Sequence, residues 1–346
     1  MAQIERIKIE TQNTGHKRWI EDGSKILKER LPFKGPAHLA ITIGSAGMDS
    51  LVDAMGFEKP PVEIPFEEIG LPIGENPNHP KMILAGVTKE DKNIIIVKGR
   101  THEYEIRPTG IATETWGILG PAELSTGYLE ILNEVGVENM ILTNAAGGID
   151  HPLQNGQQKP FSENDIPIVS LIGSDIDLAY LSAGFGHYKG HQSDFFSLKD
   201  SDEGLMQIFR NSMTAVGESK EIPTVDYGTS KSTPNFEDPR IIKLMAELGC
   251  QVVGMSYSPE KQVLSGLNNI GRFIGISIIT NLQELTYKVD KGAAHQRLII
   301  SVEEMRNHRA REFEKKYKAT DEEVRKNSKK VEKKLSMALA HLAKSI

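Results

Sequence analysis

"NIIIVKGRTHEYEI", residues 93–106, decides how this chain is read. It opens with an unbroken apolar run at 94–97, the pattern of a strand buried on both faces, and such strands belong to sheets covered by helices on both sides. After Gly99 the character changes. Arg100, His102 and Tyr104 occupy every second position, with Thr101, Glu103 and Glu105 between them. In extended chain, alternate side chains share a face, so a cation, an imidazole and a phenol would point the same way. The C-terminal ends of strands are where open α/β sheets bind ligands. The competing account satisfies Arg100 and His102 with the neighbouring carboxylates of Glu103 and Glu105.

Working outward, the same alternation of apolar runs and helical periodicity recurs. Strands are expected at 38–44, 93–99, 139–144, 166–173, 251–256 and 272–281, and helices at 17–31, within 111–135, at 238–249 and at 259–271. Strand alternating with helix is the signature of an α/β sheet, and with no internal repeat or low-complexity linker a single domain over 1–346 is the simplest account. Two regions stand outside the pattern. Residues 174–204 mix aromatics, glycines and histidines without a period, which suits a long active-site or interface loop. Residues 300–326 read as a helical insertion ahead of a C-terminal helix. There Thr320 and Glu323 form a capping box before the apolar series Val324, Val331, Leu335, Leu339 and Leu342.

Composition narrows the function. The chain has 346 residues and a formal net charge of −6, whereas a surface that tracks phosphate backbones leaves a chain basic. Nucleic acid is therefore not the expected partner. A single cysteine, Cys250, excludes an intramolecular disulfide and a multi-cysteine metal site. No apolar stretch is long enough to span a bilayer, and "MAQIERIKIETQ" lacks the apolar centre of a secretory signal. The expectation is a soluble, cytoplasmic protein working on small molecules, with no membrane partner.

Unusual polar residues gather where the strands end. "GSAGMDS" (44–50) is a small-residue turn suited to offering backbone N–H groups and a hydroxyl to an anion. Arg100 is a natural partner of phosphate, and His102 can add a hydrogen bond. "TNAAGG" (143–148) lets backbone approach a ligand closely. "GMSYSPE" (254–260) sets Ser256 and Glu260 before a helix, and Asn281 in "TNLQE" can both donate and accept toward a heterocycle. "TPNFEDP" (233–239) pairs the aromatic Phe236 with the carboxylate of Glu237, a combination suited to a flat, hydrogen-bonding base.

"GS", "GRTHEYE", "TNAAGG", "PNFE", "LGCQVVGMSYSPE" and "ISIITN" follow one another in the order of one family. The sequence resembles the trimeric-type purine nucleoside phosphorylases, which include methylthioadenosine phosphorylases, from about residue 37 to 300 and again from about 327. The resemblance implies a central mixed β-sheet, partly closed into a barrel and flanked by helices. It also implies reversible phosphorolysis of a purine nucleoside by inorganic phosphate, without cofactor or metal, in a homotrimer with shared active sites. By matching positions, Ser45, Arg100, His102, the N–H of Ala146 and Ser256 are the implied phosphate ligands, with His79 near them. Tyr104, Met255 and His295 are the implied ribose contacts, and Phe195 the aromatic lent by a neighbouring subunit. Phe236, Glu237, Asn281 and Ala145 are the implied base site, with Asn281, Glu237 and His102 the implied catalytic residues.

Asparagine at 281 goes, in that family, with 6-oxopurines such as inosine and guanosine. A carboxylate there would repel a 6-keto oxygen and accept from a 6-amino group. Methylthioadenosine phosphorylase and a catalytically silent nucleoside- or phosphate-binding relative are the alternatives. Ala46 and Asp49 depart from the family's glycine loop, and Asp49 brings an acid toward the expected anion site.

Overall fold

The computed structural model describes residues 2–44, 48–73, 80–102, 105, 111–113, 117–119, 121–150, 161, 163–177, 201–229, 239–284 and 321–346. In chain order its main elements begin with α1 (Ala2–Arg30), β1 (Leu39–Ile43), α2 (Ser50–Met55), β2 (Val62–Pro65), β3 (Met82–Val87) and β4 (Asn93–Lys98). A hairpin of β5 (Ile111–Thr113) and β6 (Gly117–Leu119) precedes α3 (Pro121–Glu134), β7 (Asn139–Asp150) and β8 (Ile168–Asp177). Then come α4 (Glu203–Ala215), β9 (Thr224–Thr229), α5 (Pro239–Glu247), β10 (Val252–Gly254), α6 (Tyr257–Gly266), β11 (Arg272–Glu284) and α7 (Asp321–Ser345).

The continuous apolar runs do what such runs should do. All of β1 and positions 94–97 of β4 are buried, because each strand is covered on both faces. Ile95 and Val97 join Trp19, Leu27, Leu129 and Leu132 from α1 and α3, while Ile94 and Ile96 face Leu51, Leu335 and Leu339 from α2 and α7. Burying a side chain of this kind contributes roughly 1.5–3 kcal/mol, so these two layers supply much of the drive to fold. The apolar stripe expected on the last helix is seated as its periodicity predicts, with Leu335, Leu339 and Leu342 fully buried.

Among the described residues the sheet runs β10-β9-β8-β11-β7-β1-β4-β3-β2, with a further pairing of β10 to β7 that closes five strands into a barrel. It is a mixed sheet: β1 runs parallel to β4 and β7, whereas β3 is antiparallel to β4 and β8 antiparallel to β11. The closure follows from the length of β7. One edge of β7 pairs with β1 through Met140–Leu142 (140–142), then pairs antiparallel with β10 through Gly147 and Gly148. Residues 143–146 lie between those two partners, and the C-terminal ends of β1 and β10 point toward each other across them.

Several sequence expectations shift. The polar continuation of β4 is not a strand: the ladder stops at Lys98, Gly99 turns with φ 84, and the backbone N–H of Glu105 donates to the His102 carbonyl in a tight turn. Arg100 and His102 therefore owe their positions to a loop, and not to strand alternation. The helix expected within 111–135 begins only at Pro121, after the β5–β6 hairpin. β7 and β11 run past their expected ends because residues 145–150 and 278–284 continue to pair with each other. β2, β3, β9, α2 and α4 were not anticipated. Of the 174–204 segment, β8 takes its start and α4 its end, and 178–200 lie outside the described residues. Of the 300–326 segment only 321–326, in α7, are described, and Thr320 of the capping box is not.

Gly254 shows how tight the barrel is at its closing strand, since a Cβ added there would sit 2.1 Å from the Tyr227 hydroxyl oxygen. Overpacking of this kind costs typically 1–3 kcal/mol. Gly254→Ala is expected to lower the unfolding free energy by about that amount, measured as a drop in the urea midpoint at unchanged slope. An unchanged midpoint would contradict the packing described.

Candidate active site

The site grows from the gap in the β7 edge. Arg100, on the loop after β4, is buried at 2% exposure. Its Nη2 donates to the Thr143 carbonyl at 2.7 Å, and its Nε lies 3.2 Å from Glu260 Oε1 in the first turn of α6. A buried guanidinium survives only if its charge is met, and here a carbonyl from residues 143–146 of β7, between the β1 and β10 pairings, and a carboxylate meet it. Glu260 is held in turn by the Tyr128 hydroxyl, which donates to Oε1 at 2.5 Å and accepts from Thr42 at 3.3 Å. Burial pushes the Glu260 carboxyl upward, with Arg100 and Tyr128 pulling it back, and burial raises the Tyr128 phenol well above its ordinary range.

His102 occupies the next position. Glu105 Oε1 accepts from its backbone N–H at 2.8 Å and from Nδ1 at 3.0 Å. With the proton on Nδ1, Nε2 becomes an acceptor, and it lies 3.1 Å from Ser256 Oγ. That contact joins residues 154 positions apart at the ends of different strands. Glu105 is also paired with Lys81, both nearly fully buried, at 3.2 Å. Lys81 stands at φ 56 just before β3 and sends Nζ to the Arg100 carbonyl and to Thr101. Desolvation lowers the Lys81 ammonium from its usual range, against the pull of Glu105. Burial likewise holds the His102 imidazole below the ordinary histidine range, outweighing Glu105, and the charges of Arg100 and Lys81 push the same way.

Ser256 is the N-cap of α6 and makes no capping bond to that helix, its hydroxyl lying instead within reach of His102. The start of α6, with its orphan N–H groups and positive dipole end, thus faces the same place as Arg100. Opposite, Ala146 pairs with Ile279 and Asn281 with Gly147, with a register shift in β11 between Ile279 and Asn281. The bulge leaves Thr280 outside the ladder, and its hydroxyl lies 3.1 Å from Asn281 Oδ1 and 3.4 Å from the Ala146 carbonyl. Met255 follows β10, and Ala145 lies in the unflanked stretch of β7.

The structure therefore brings Arg100, His102, Ala145, Ala146, Met255, Ser256 and Asn281 to one gap in the sheet. Ser45, His79, Tyr104, Phe195, Phe236, Glu237 and His295 lie outside the described residues. Asp49 is not an intruder on the anion site: its side chain is 89% exposed and pairs with Lys98 at 3.2 Å. The sequence reading weighed Glu105 only as a competitor and gave Glu260 no task, yet each holds a residue of the site. Glu105 could have been found from its three-residue spacing to His102 in a turn. Nothing in the sequence marks Lys81, whose partners come from the loop after β4.

Residues 63–343 match the family model described as "Phosphorylase superfamily". The chain belongs to the phosphorylase superfamily. Among curated relatives of this superfamily member is purine nucleoside phosphorylase 1 of Bacillus subtilis (strain 168), 27% identical over 266 residues, covering 76% of this chain and 84% of that protein. Purine nucleoside phosphorylase of Bos taurus is 26% identical over 243 residues, covering 68% and 73%. The crystal structure of Schistosoma mansoni purine nucleoside phosphorylase in complex with inosine superposes with a TM-score of 0.67 at 17% identity, covering 96% of this chain and 98% of that one. The last likeness bears on the fold, which is the one the resemblance implied. Within the superfamily the chain is a divergent relative of purine nucleoside phosphorylases. No described helix is long and apolar enough to cross a membrane.

The His102 environment makes a signed prediction. A histidine whose native pKa lies below the unfolded value of about 6.5 takes up its proton more readily when unfolded, so its contribution weakens the fold as pH falls through that region. An NMR titration of the His102 ring is expected to show a midpoint below the ordinary histidine value. The midpoint is expected to be lower again in Glu105→Gln, which removes the charge that favours the imidazolium. A midpoint that rises in the variant would contradict the arrangement.

Proposed function

We propose that this superfamily member is a purine nucleoside phosphorylase that splits 6-oxopurine nucleosides, inosine and guanosine, with inorganic phosphate to give the free base and ribose 1-phosphate. The observation that carries the reading is the orientation of Asn281. With Oδ1 accepting from the Thr280 hydroxyl, the N–H donors are what the amide has to offer a base. The N7 and O6 edge of a 6-oxopurine presents two acceptors to such donors, while a 6-amino group would present a donor to a donor.

In this scheme phosphate sits between Arg100, His102, Ser256 and the Ala146 N–H, with Ser45 and His79 completing its shell. The start of α6 adds its dipole to that anion site. Tyr104, Met255, His295 and a neighbouring subunit's Phe195 hold the ribose of a homotrimer, and Phe236, Glu237, Ala145 and Asn281 hold the base. A phosphate oxygen forms a bond to C1′ as the C1′–N9 bond breaks, and the bonding pair departs with the purine. Positive charge grows on the sugar above the bound anion, and negative charge spreads to N7 and O6 at the Asn281 amide. Orientation and fixed dipoles carry the rate, and the scheme uses no cofactor or metal. A neutral Nε2 on His102 can accept a hydrogen bond from a protonated phosphate oxygen, with the Ser256 hydroxyl turning to donate to the anion.

Following hypoxanthine released from inosine is expected to show product only when phosphate is present. Removing one preorganised donor of this kind typically costs about 10²-fold in turnover, so Asn281→Ala is expected to lose about that much. Asn281→Asp is expected to shift preference from inosine toward adenosine. Absence of phosphate-dependent product, or an unchanged preference in Asn281→Asp, would overturn the proposal.

A further inference from the structure

The bulge in β11 raises a question of hydrogen-bond accounting. A β-bulge leaves its extra residue without a ladder partner and re-aims the neighbouring side chain. Here the extra residue is Thr280, 1% exposed, immediately before Asn281. A buried carbonyl needs a partner. The Thr280 carbonyl receives one from the far end of the chain: Asn327 Nδ2, in the second turn of α7, donates to it at 2.6 Å. The Thr280 hydroxyl has one hydrogen, and the nearer of its two acceptors is Asn281 Oδ1.

We propose that Asn327 is a positioning residue for base recognition: by holding the Thr280 carbonyl it fixes the bulge and, through the Thr280 hydroxyl, the orientation of the Asn281 amide. The inference rests on the phosphorylase reading above and adds the C-terminal helix to its specificity apparatus. The helix is itself anchored. Glu332 Oε1 accepts the Ser50 N–H at 2.9 Å, the Ser50 hydroxyl donates to Ser336 Oγ at 2.9 Å, and Leu335, Leu339 and Leu342 are fully buried. Asn327 therefore reaches Thr280 from a fixed platform. The same helix holds the start of α2, which follows the small-residue turn on the phosphate side.

Three proteins test this: the parent, Asn327→Leu, which removes the donor, and Asn327→Gln, which keeps an amide. In Asn327→Leu, kcat with inosine is expected to fall about tenfold and the inosine-to-adenosine ratio of kcat/KM to fall with it, while the KM for phosphate stays within twofold. Asn327→Gln is expected to recover most of both losses. Hydrogen exchange provides a second readout, with backbone amides of 278–284 expected to exchange faster in Asn327→Leu and the middle of α7 unchanged. A merely structural role predicts lowered stability with the substrate ratio intact, and that result would overturn the proposal. If the parent cleaves no nucleoside, the function reading fails by itself. Exchange at 278–284 then decides the clamp: acceleration in Asn327→Leu supports it, and no change overturns it.

Discussion

A guanidinium buried at the strand ends of a sheet is the constraint on which the rest of the site depends. Arg100 carries a charge that cannot be left unmet in a dry interior, where an isolated ion costs several kcal/mol. Its compensation draws in most of the elements nearby. Thr143 of β7 supplies a carbonyl, Glu260 of α6 a carboxylate, Tyr128 of α3 a hydroxyl to that carboxylate, and Thr42 of β1 a hydroxyl to Tyr128. Move any of these and the charge is stranded. A second buried chain runs beside the first, from Lys81 through Glu105 and His102 to Ser256. Both chains end at the gap in the edge of β7.

That gap follows from topology. β7 is long enough to take β1 as a partner early and β10 late, and these two approach from opposite directions. Two strand ends, each leading into a helix, therefore meet over four residues of β7. A barrel closed elsewhere along β7 would not leave this opening. Asn281 reaches the same place from β11 on the other edge, aimed by a bulge whose loose carbonyl is tied down by α7. In the proposed function the anion-binding wall and the base-reading amide are fixed by separate parts of the chain, which suits a reaction in which charge develops at two ends of one breaking bond.

Much of this is legible in the sequence. The runs at 94–97 and 39–43 read as buried strands because covering both faces removes the polar alternation. Arg100, His102, Ser256 and Asn281 stood out because polar groups at strand ends are costly unless used. The alternation of Arg100, His102 and Tyr104 suggested extended chain, yet Gly99 turns the backbone and Glu105 folds back onto His102. Periodicity cannot see a turn made by one glycine and one distant lysine. Helix α4 lies almost wholly beyond the aperiodic 174–204 segment, in a stretch for which no element was expected. The ties of Lys81 to Glu105 and of Asn327 to Thr280 span 24 and 47 positions, and neither leaves a local pattern. Ion pairs and amide-to-carbonyl bonds of this sort exist only once the sheet has brought the strands together.

The most direct test is a crystal structure of the protein grown with inorganic phosphate and hypoxanthine. The account predicts an anion within hydrogen-bond distance of Arg100 and Ser256, with the purine's N7 and O6 edge at the Asn281 amide nitrogen. An anion bound elsewhere while Arg100 stays closed on Glu260, or a base turned away from Asn281, would contradict it.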